Sequence, residues 1–216
     1  MLAGGPFREL NTLISAAMAD DNPEYSGADI KILDAVMDVI GIHGDQGLTI
    51  DLVAKHARVS RMTVFRRFGT KDSLIDEAHR REIRSVLHEV GRQADNAHTV
   101  AACLEAIVMT MVDSAAKSPA VQWMLRADTS TAVYLWRDRN PSGQQLGRFF
   151  VSQMLQQSRF DDPLPADRAD FVADVALRLM MSLVLVPDPA FRKADHVQTR
   201  IYIHDVVTRL LTADWQ

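Results

Sequence analysis

Between Lys55 and Lys71 the sequence places Lys55, Arg58, Arg61, Arg66, Arg67 and Lys71 with no Asp or Glu among them. The 216-residue chain has a formal net charge of −4, so this cationic stretch runs against its surroundings. Arginine and lysine at such density suit charge-assisted hydrogen bonds to phosphate, and an arginine fork can also read the edge of a guanine. A merely solvated helix face usually interleaves both signs. Because the whole chain is acidic, bulk charge cannot hold a polyanion, and any such contact must be local.

Other chemistry finds less support. The seven histidines (His43, His56, His79, His88, His98, His196 and His204) contain no i,i+4 pair, so no helical metal chelate is indicated, and surface or capping roles are the default. No nucleophile elbow, P-loop, dinucleotide fingerprint or zinc-protease motif occurs, so neither a catalytic residue nor a cofactor is assigned. Cys103 is the single cysteine, set among Ala101, Ala102 and Leu104, where a buried inert thiol is expected. No apolar run reaches the ~20 residues of a membrane span and no secretory leader is evident, so a cytoplasmic protein is expected.

The elements that must position the cationic residues are helical. Residues 1–28 read as a leader with one short amphipathic helix before Asp20-Asp21-Asn22-Pro23. Ile30, Leu33, Val36, Met37 and Ile40 then recur at helical spacing, with Gly41 and Gly44 marking the end. Thr49 stands where an N-cap belongs, with Asp51 in the first turn to complement the helix dipole and Val53, Ala54 and Ala57 on one side. After Arg58-Val59, Ser60 is a second cap, opening a helix from Arg61 to Phe68 with Val64 inward. Gly69 breaks that helix and Thr70 caps a long one through Val90. Further helices are predicted over 100–116, 121–136, 143–157, 166–186 and 194–212, with Pro119, Pro141, Pro187 and Pro189 as interruptions. The fold class is all-α.

Two short helices joined by a tight turn, with Ala54 where they must approach, describe a helix-turn-helix. With Thr49, Ala54, Val59-Ser60, Thr63, Phe65, Phe68, Lys71 and Leu74 in this order, residues 30–75 resemble the DNA-binding signature of the TetR family. In such a module the second helix lies in the major groove, its first turn nearest the bases. The DNA-contacting set is then Thr49, Ser60, Arg61, Met62, Thr63, Phe65, Arg66, Arg67 and Lys71. Arg61 suits guanine, and Met62 or Thr63 suits a thymine methyl. The sequence departs from the family pattern at the turn, where Arg58 replaces glycine, at Met62, where a small residue is usual, and at Phe65, where tyrosine is usual. These departures bear on which DNA sequence is read.

The resemblance implies three segments: the leader (1–28), a DNA-binding domain (29–75) and a helical effector-binding and dimerisation domain (76–216). Wide apolar stripes on the last two helices, including Phe171, Val175, Leu179, Leu183, Ile203, Val207 and Leu210, suggest a four-helix interface between two copies. Met109, Trp123, Met124, Tyr134, Phe149, Phe150 and Met154 supply adaptable and aromatic surface for a small apolar effector. The implied function is a homodimeric repressor released from a palindromic operator by that effector. A helical enzyme, or a helix-turn-helix that contacts only protein, stands as the alternative.

Overall fold

The computed structural model describes residues 23–127, 143–186 and 196–213. Among the described residues every regular element is an α-helix: α1 (Gly27–Gly47), α2 (Ile50–Ala57), α3 (Arg61–Phe68), α4 (Lys71–Asp95), α5 (Val100–Lys117), α6 (Pro119–Ala127), α7 (Gly143–Leu155), α8 (Ala166–Leu185) and α9 (His196–Thr212). Contacts divide these residues into two units, 23–87 with 117–127, and 88–116 with 143–186 and 196–213. The expected leader lies outside the described residues apart from its last few positions, and Tyr134 lies outside them altogether.

The first unit is built on α1. Ser26 caps it reciprocally with Asp29: the Ser26 hydroxyl accepts from the Asp29 amide at 3.3 Å, and the Ser26 amide donates to the Asp29 carboxylate at 2.9 Å. Ile32, Leu33, Val36, Val39 and Ile40 are fully buried and meet Val53 of α2, Val64 of α3, and Leu74, Ile75 and Ala78 of α4 in one core. Thr49 and Ser60 cap α2 and α3 as expected, accepting from the amides of Leu52 at 3.2 Å and Thr63 at 3.1 Å. Thr70 likewise accepts from the Ser73 amide at 3.1 Å at the head of α4.

Two differences from the expected elements matter for the site. Gly44 does not end α1: it breaks the helix at φ +67°, and a further turn carries Asp45 into the core before Leu48. Pro119 stops α5 at Lys117 as expected but also opens α6, two residues before the predicted start, because the first helical position needs no amide donor and the Ser118 hydroxyl caps the turn by accepting from Val121 at 3.3 Å. Helix α6 packs on α1 where two glycines admit it. A Cβ at Gly41 would fall 2.6 Å from that of Pro119, and one at Gly44 only 2.4 Å from the Trp123 indole.

In the second unit, Cys103, Leu104, Ile107 and Val108 of α5, Val151 and Leu155 of α7, Val172, Ala173 and Leu177 of α8 and Ile203 and Val207 of α9 are buried. Gly147 lets α7 approach α8, its missing Cβ site lying 3.2 Å from Leu177. Helix α4 runs through Gly91 to Asp95. There the Arg159 guanidinium donates to the carbonyls of Ala94 (2.7 Å), Asp95 (3.0 Å) and Ala97 (3.0 Å), satisfying acceptors that a helix end leaves open.

Candidate nucleic-acid interface

Helix α3 has a buried side and a bare one. Val64 is fully buried, whereas Met62 is 70% and Phe65 58% exposed, and Arg61 and Arg66 share that outer face. Positions 61 and 65, and 62 and 66, are four apart and therefore neighbours, so cationic and apolar groups alternate over a small patch. Two large apolar side chains thus stand in water on an eight-residue helix, with arginines beside them. The turn before α3 places Arg58 in the left-handed region at φ 56°, ψ 43°, where a non-glycine residue carries a cost of roughly 1 kcal/mol. The same turn is closed by hydrogen bonds from Arg58 to Lys55 at 3.3 Å and from Val59 to Ala54 at 3.0 Å.

The cations of the acid-free stretch do not all face outward. Arg67 turns back onto α1, donating to Asp29 at 2.5 Å and to the Ser26 hydroxyl at 2.9 Å. Burial alone would raise the Asp29 carboxyl, but the hydrogen bonds from Ser26 and Arg67 outweigh it and hold its pKa below the usual carboxylate value. The Lys71 ammonium donates to the Gln46 carbonyl at 3.1 Å, near the end of α1. Arg61 reaches Asp51 in the first turn of α2, Nη1 lying 3.1 Å from Oδ2 and 3.4 Å from Oδ1. Of the hydroxyls, Thr49 and Ser60 serve as caps, and Ser60 and Thr63 also share a 2.9 Å hydrogen bond. The acidic partners Asp29 and Asp51 lie outside residues 55–71, so charge counting along the chain could not reveal them.

Behind α3 the unit is fastened by polar groups. His79 of α4 and Asp45, just beyond the Gly44 break, form a buried pair at 3.4 Å. Burial opposes a charged imidazole, but the hydrogen bond and charge of Asp45, with Glu82 and Asp76 adding to them, outweigh it and raise the His79 pKa. Asp45 Oδ1 is buried and accepts no hydrogen bond among the described residues. The expected surface or capping role therefore does not hold for His79, whose apolar neighbours Leu74, Ile75 and Ala78 carry it into the core. Beside it, Tyr25 donates to Glu77 while Arg84 donates to Tyr25 and pairs with Glu77 at 3.1 Å. Burial and the Glu77 acceptor push the Tyr25 hydroxyl up to about 12. Arg81 adds a 2.7 Å ion pair to Asp34, so α4 is tied to α1 by several charged contacts.

The family model for bacterial regulatory proteins of the tetR family matches residues 32–78, the span of α1 to α4 that carries this interface. Over these residues the chain is similar to the DNA-binding domain of that family. No curated protein matches the chain. Among solved structures, it is similar to a TetR-like transcriptional regulator from Rhodococcus sp. RHA1 at 15% identity and TM-score 0.61, covering 89% of this chain and 100% of that one. The fatty acid degradation regulator FadR from Bacillus halodurans gives 16% identity and TM-score 0.61 over 86% and 96%. A TetR-family regulator from Streptomyces coelicolor A3 gives 16% and 0.52 over 90% and 100%. At these identities the likeness is one of fold, and it extends through both units.

The residues expected to line an effector pocket fall on several helices. Trp123 and Met124 sit on α6 in the first unit, with Trp123 against Gly44, while Met109, Phe149, Phe150 and Met154 belong to the second. Met109 and Met154 are buried, Phe150 is half-buried and Phe149 is 60% exposed. The second unit does hold a cavity of about 310 Å³, edged by His98, Thr99, Phe160, Asp162, Arg168 and Leu211. Sequence reasoning missed it because its walls come from distant loops and helix ends.

For the expected interface between copies, Phe171 is exposed and Val175, Leu179 and Leu183 are half-buried, but Ile203, Val207 and Leu210 point into their own unit and offer no surface. The apolar surface of α9 is instead Val197 and Ile201, with Tyr202 beside them. An apolar stripe tells that a helix buries a face, not against which partner.

Cys103 is fully buried, and burial pushes its thiol up to about 11, which keeps it protonated and unreactive. Among the described residues no helix is long and apolar enough to cross a membrane.

Proposed function

We propose that the chain acts in the cytoplasm as a homodimeric repressor that reads a palindromic operator and is released by a small apolar effector. The reading is carried by the exposed face of α3, where Arg61, Met62, Phe65 and Arg66 combine cationic and apolar groups with no core to fill. Arg61 and Met62 in the first turn suit base edges, while Arg66 suits a phosphate or a base. Thr49, Ser60 and Thr63 stand at the helix heads, where amides and hydroxyls favour phosphate oxygens. Arg67 and Lys71 act mainly as braces that set the angle of α3, given their bonds to Asp29 and Gln46. The apolar load of the second unit, with Met109, Met154, Phe149 and Phe150, supports an apolar effector rather than a polar one.

Selection of bound duplexes from random DNA by the full-length protein tests this function. The expected result is an inverted repeat with half-sites about 10 base pairs apart or a multiple of it, and binding that falls steeply with salt. Arg61→Ala should relax one symmetric pair of positions and cost ~1 to 3 kcal/mol on the selected site. Recovery of no enriched sequence, with affinity equal on all DNA, would overturn the repressor reading.

A further inference from the structure

The pairing of Arg61 with Asp51 puts a carboxylate on the surface that must approach a polyanion. Both side chains are largely exposed, at 71% and 67%, so the pair does nothing for the core. Each backbone is nevertheless fixed. Asp51 lies in the first turn of α2 behind the Thr49 cap, Arg61 in the first turn of α3 behind the Ser60 cap, and the two helices are anchored by the buried Val53 and Val64. A carboxylate facing phosphates weakens DNA binding in general.

The geometry shows what it can give in return. Nη1 of Arg61 approaches both Asp51 oxygens, at 3.1 and 3.4 Å. Among the described residues, Nε and Nη2 make no hydrogen bond that competes with a base, and the Nε–Nη2 edge is one of the two forks by which a guanidinium meets a pair of acceptors such as guanine O6 and N7. An unheld arginine side chain samples many rotamers and can turn to a phosphate or to another base. With one edge held by Asp51, the other is presented in a restricted orientation, and turning away would leave the carboxylate unpaired as the interface loses water.

We propose that Asp51 is a specificity-determining residue, holding Arg61 so that it reads one base pair instead of drifting to the backbone. This rests on the proposed base reading by α3. The duplex that the wild-type protein selects from random DNA serves as the probe, with all single-base substitutions at each position and one unrelated duplex. For Asp51→Ala, binding to the unrelated duplex should strengthen several-fold, because a phosphate-repelling charge is gone. At the position read by Arg61, the preference for the best base should fall about tenfold, with other positions unmoved. Asp51→Asn, which keeps an acceptor without the charge, should retain part of that preference. Thermal melts should show both variants folded as the wild type, since the pair is exposed.

Arg61→Ala separates the two levels of the argument. If it abolishes the preference at one position and Asp51→Ala leaves that preference intact, the role of Asp51 is overturned while base reading stands. If Arg61→Ala changes no position, or the wild type enriches no sequence, the base reading fails and the role of Asp51 fails with it.

Discussion

His79 and Asp45 show how a single contact fixes the platform behind α3. A half-charged buried pair is unstable, so the pair contributes only when the imidazole carries its proton. The environment of His79 raises its pKa in the folded protein above the ordinary 6.5, and the sign of the pH dependence follows. The stabilisation is complete below about pH 6.5, the unfolded value, and fades as pH climbs through the raised folded pKa. Replacing His79 by Ala should cost ~3 to 5 kcal/mol near pH 6, since it strands a buried carboxylate. The gap in Tm between wild type and His79→Ala should shrink as pH rises from 6 toward 9. A gap that is constant across this range would show that the pair is uncharged and that His79 only fills space. Asp29 acts in the opposite sense: its lowered pKa contributes stability above its unfolded value, which is lost as pH falls through the folded one.

Among the elements, those decided by neighbouring residues were legible in the sequence, and those decided by distant ones were not. The caps Thr49, Ser60 and Thr70 and the span of α3 follow from side chains within three residues of the amides they serve. The outer face of α3 was legible too, because Val64 and Phe68 had to point inward. The docking of α6 was not, since it depends on Trp123 meeting a glycine 79 positions earlier that adopts a positive φ. Nor were the acids that restrain Arg61 and Arg67, which lie on other helices, or the inward side of α9. The α1–α6 contact can be tested directly. Gly44→Ala should cost ~2 to 6 kcal/mol, about 1 to 3 from a φ, ψ combination that is nearly exclusive to glycine and the rest from overlap with the indole. In a Trp123→Ala background the same change should cost only the backbone part, ~1 to 3 kcal/mol. Equal costs in both backgrounds, measured by denaturant unfolding, would show that Trp123 does not press on Gly44 in solution.

At the scale of the whole molecule, the proposed regulator needs two copies, and the surface that joins them can be separated from the core that folds each. Val197 and Ile201, four apart on α9, are 60% and 56% exposed, while Val207 on the same helix is 1% exposed. On α8, Phe171 is the exposed end of a stripe that continues through the half-buried Val175, Leu179 and Leu183. A stable protein interface buries ~800 Å² from each partner, which two apolar helix faces can supply together and neither supplies alone. Ile201→Asp and Phe171→Asp should therefore convert a sedimenting dimer to a monomer with the helical circular-dichroism signal kept. Val207→Asp should lose that signal, because it buries a charge in its own unit. The functional consequence follows from bivalency. A monomer holds one half-site, whereas in a dimer binding of the first half-site presents the second at high effective concentration, a gain of roughly 10² to 10⁴ in affinity. Ile201→Asp should lose about that factor on the full palindrome and bind a single half-site as the wild-type protomer does. A wild-type protein that sediments as a monomer at micromolar concentration, or an Ile201→Asp variant that stays dimeric with undiminished operator affinity, would remove this face of α8 and α9 from the interface.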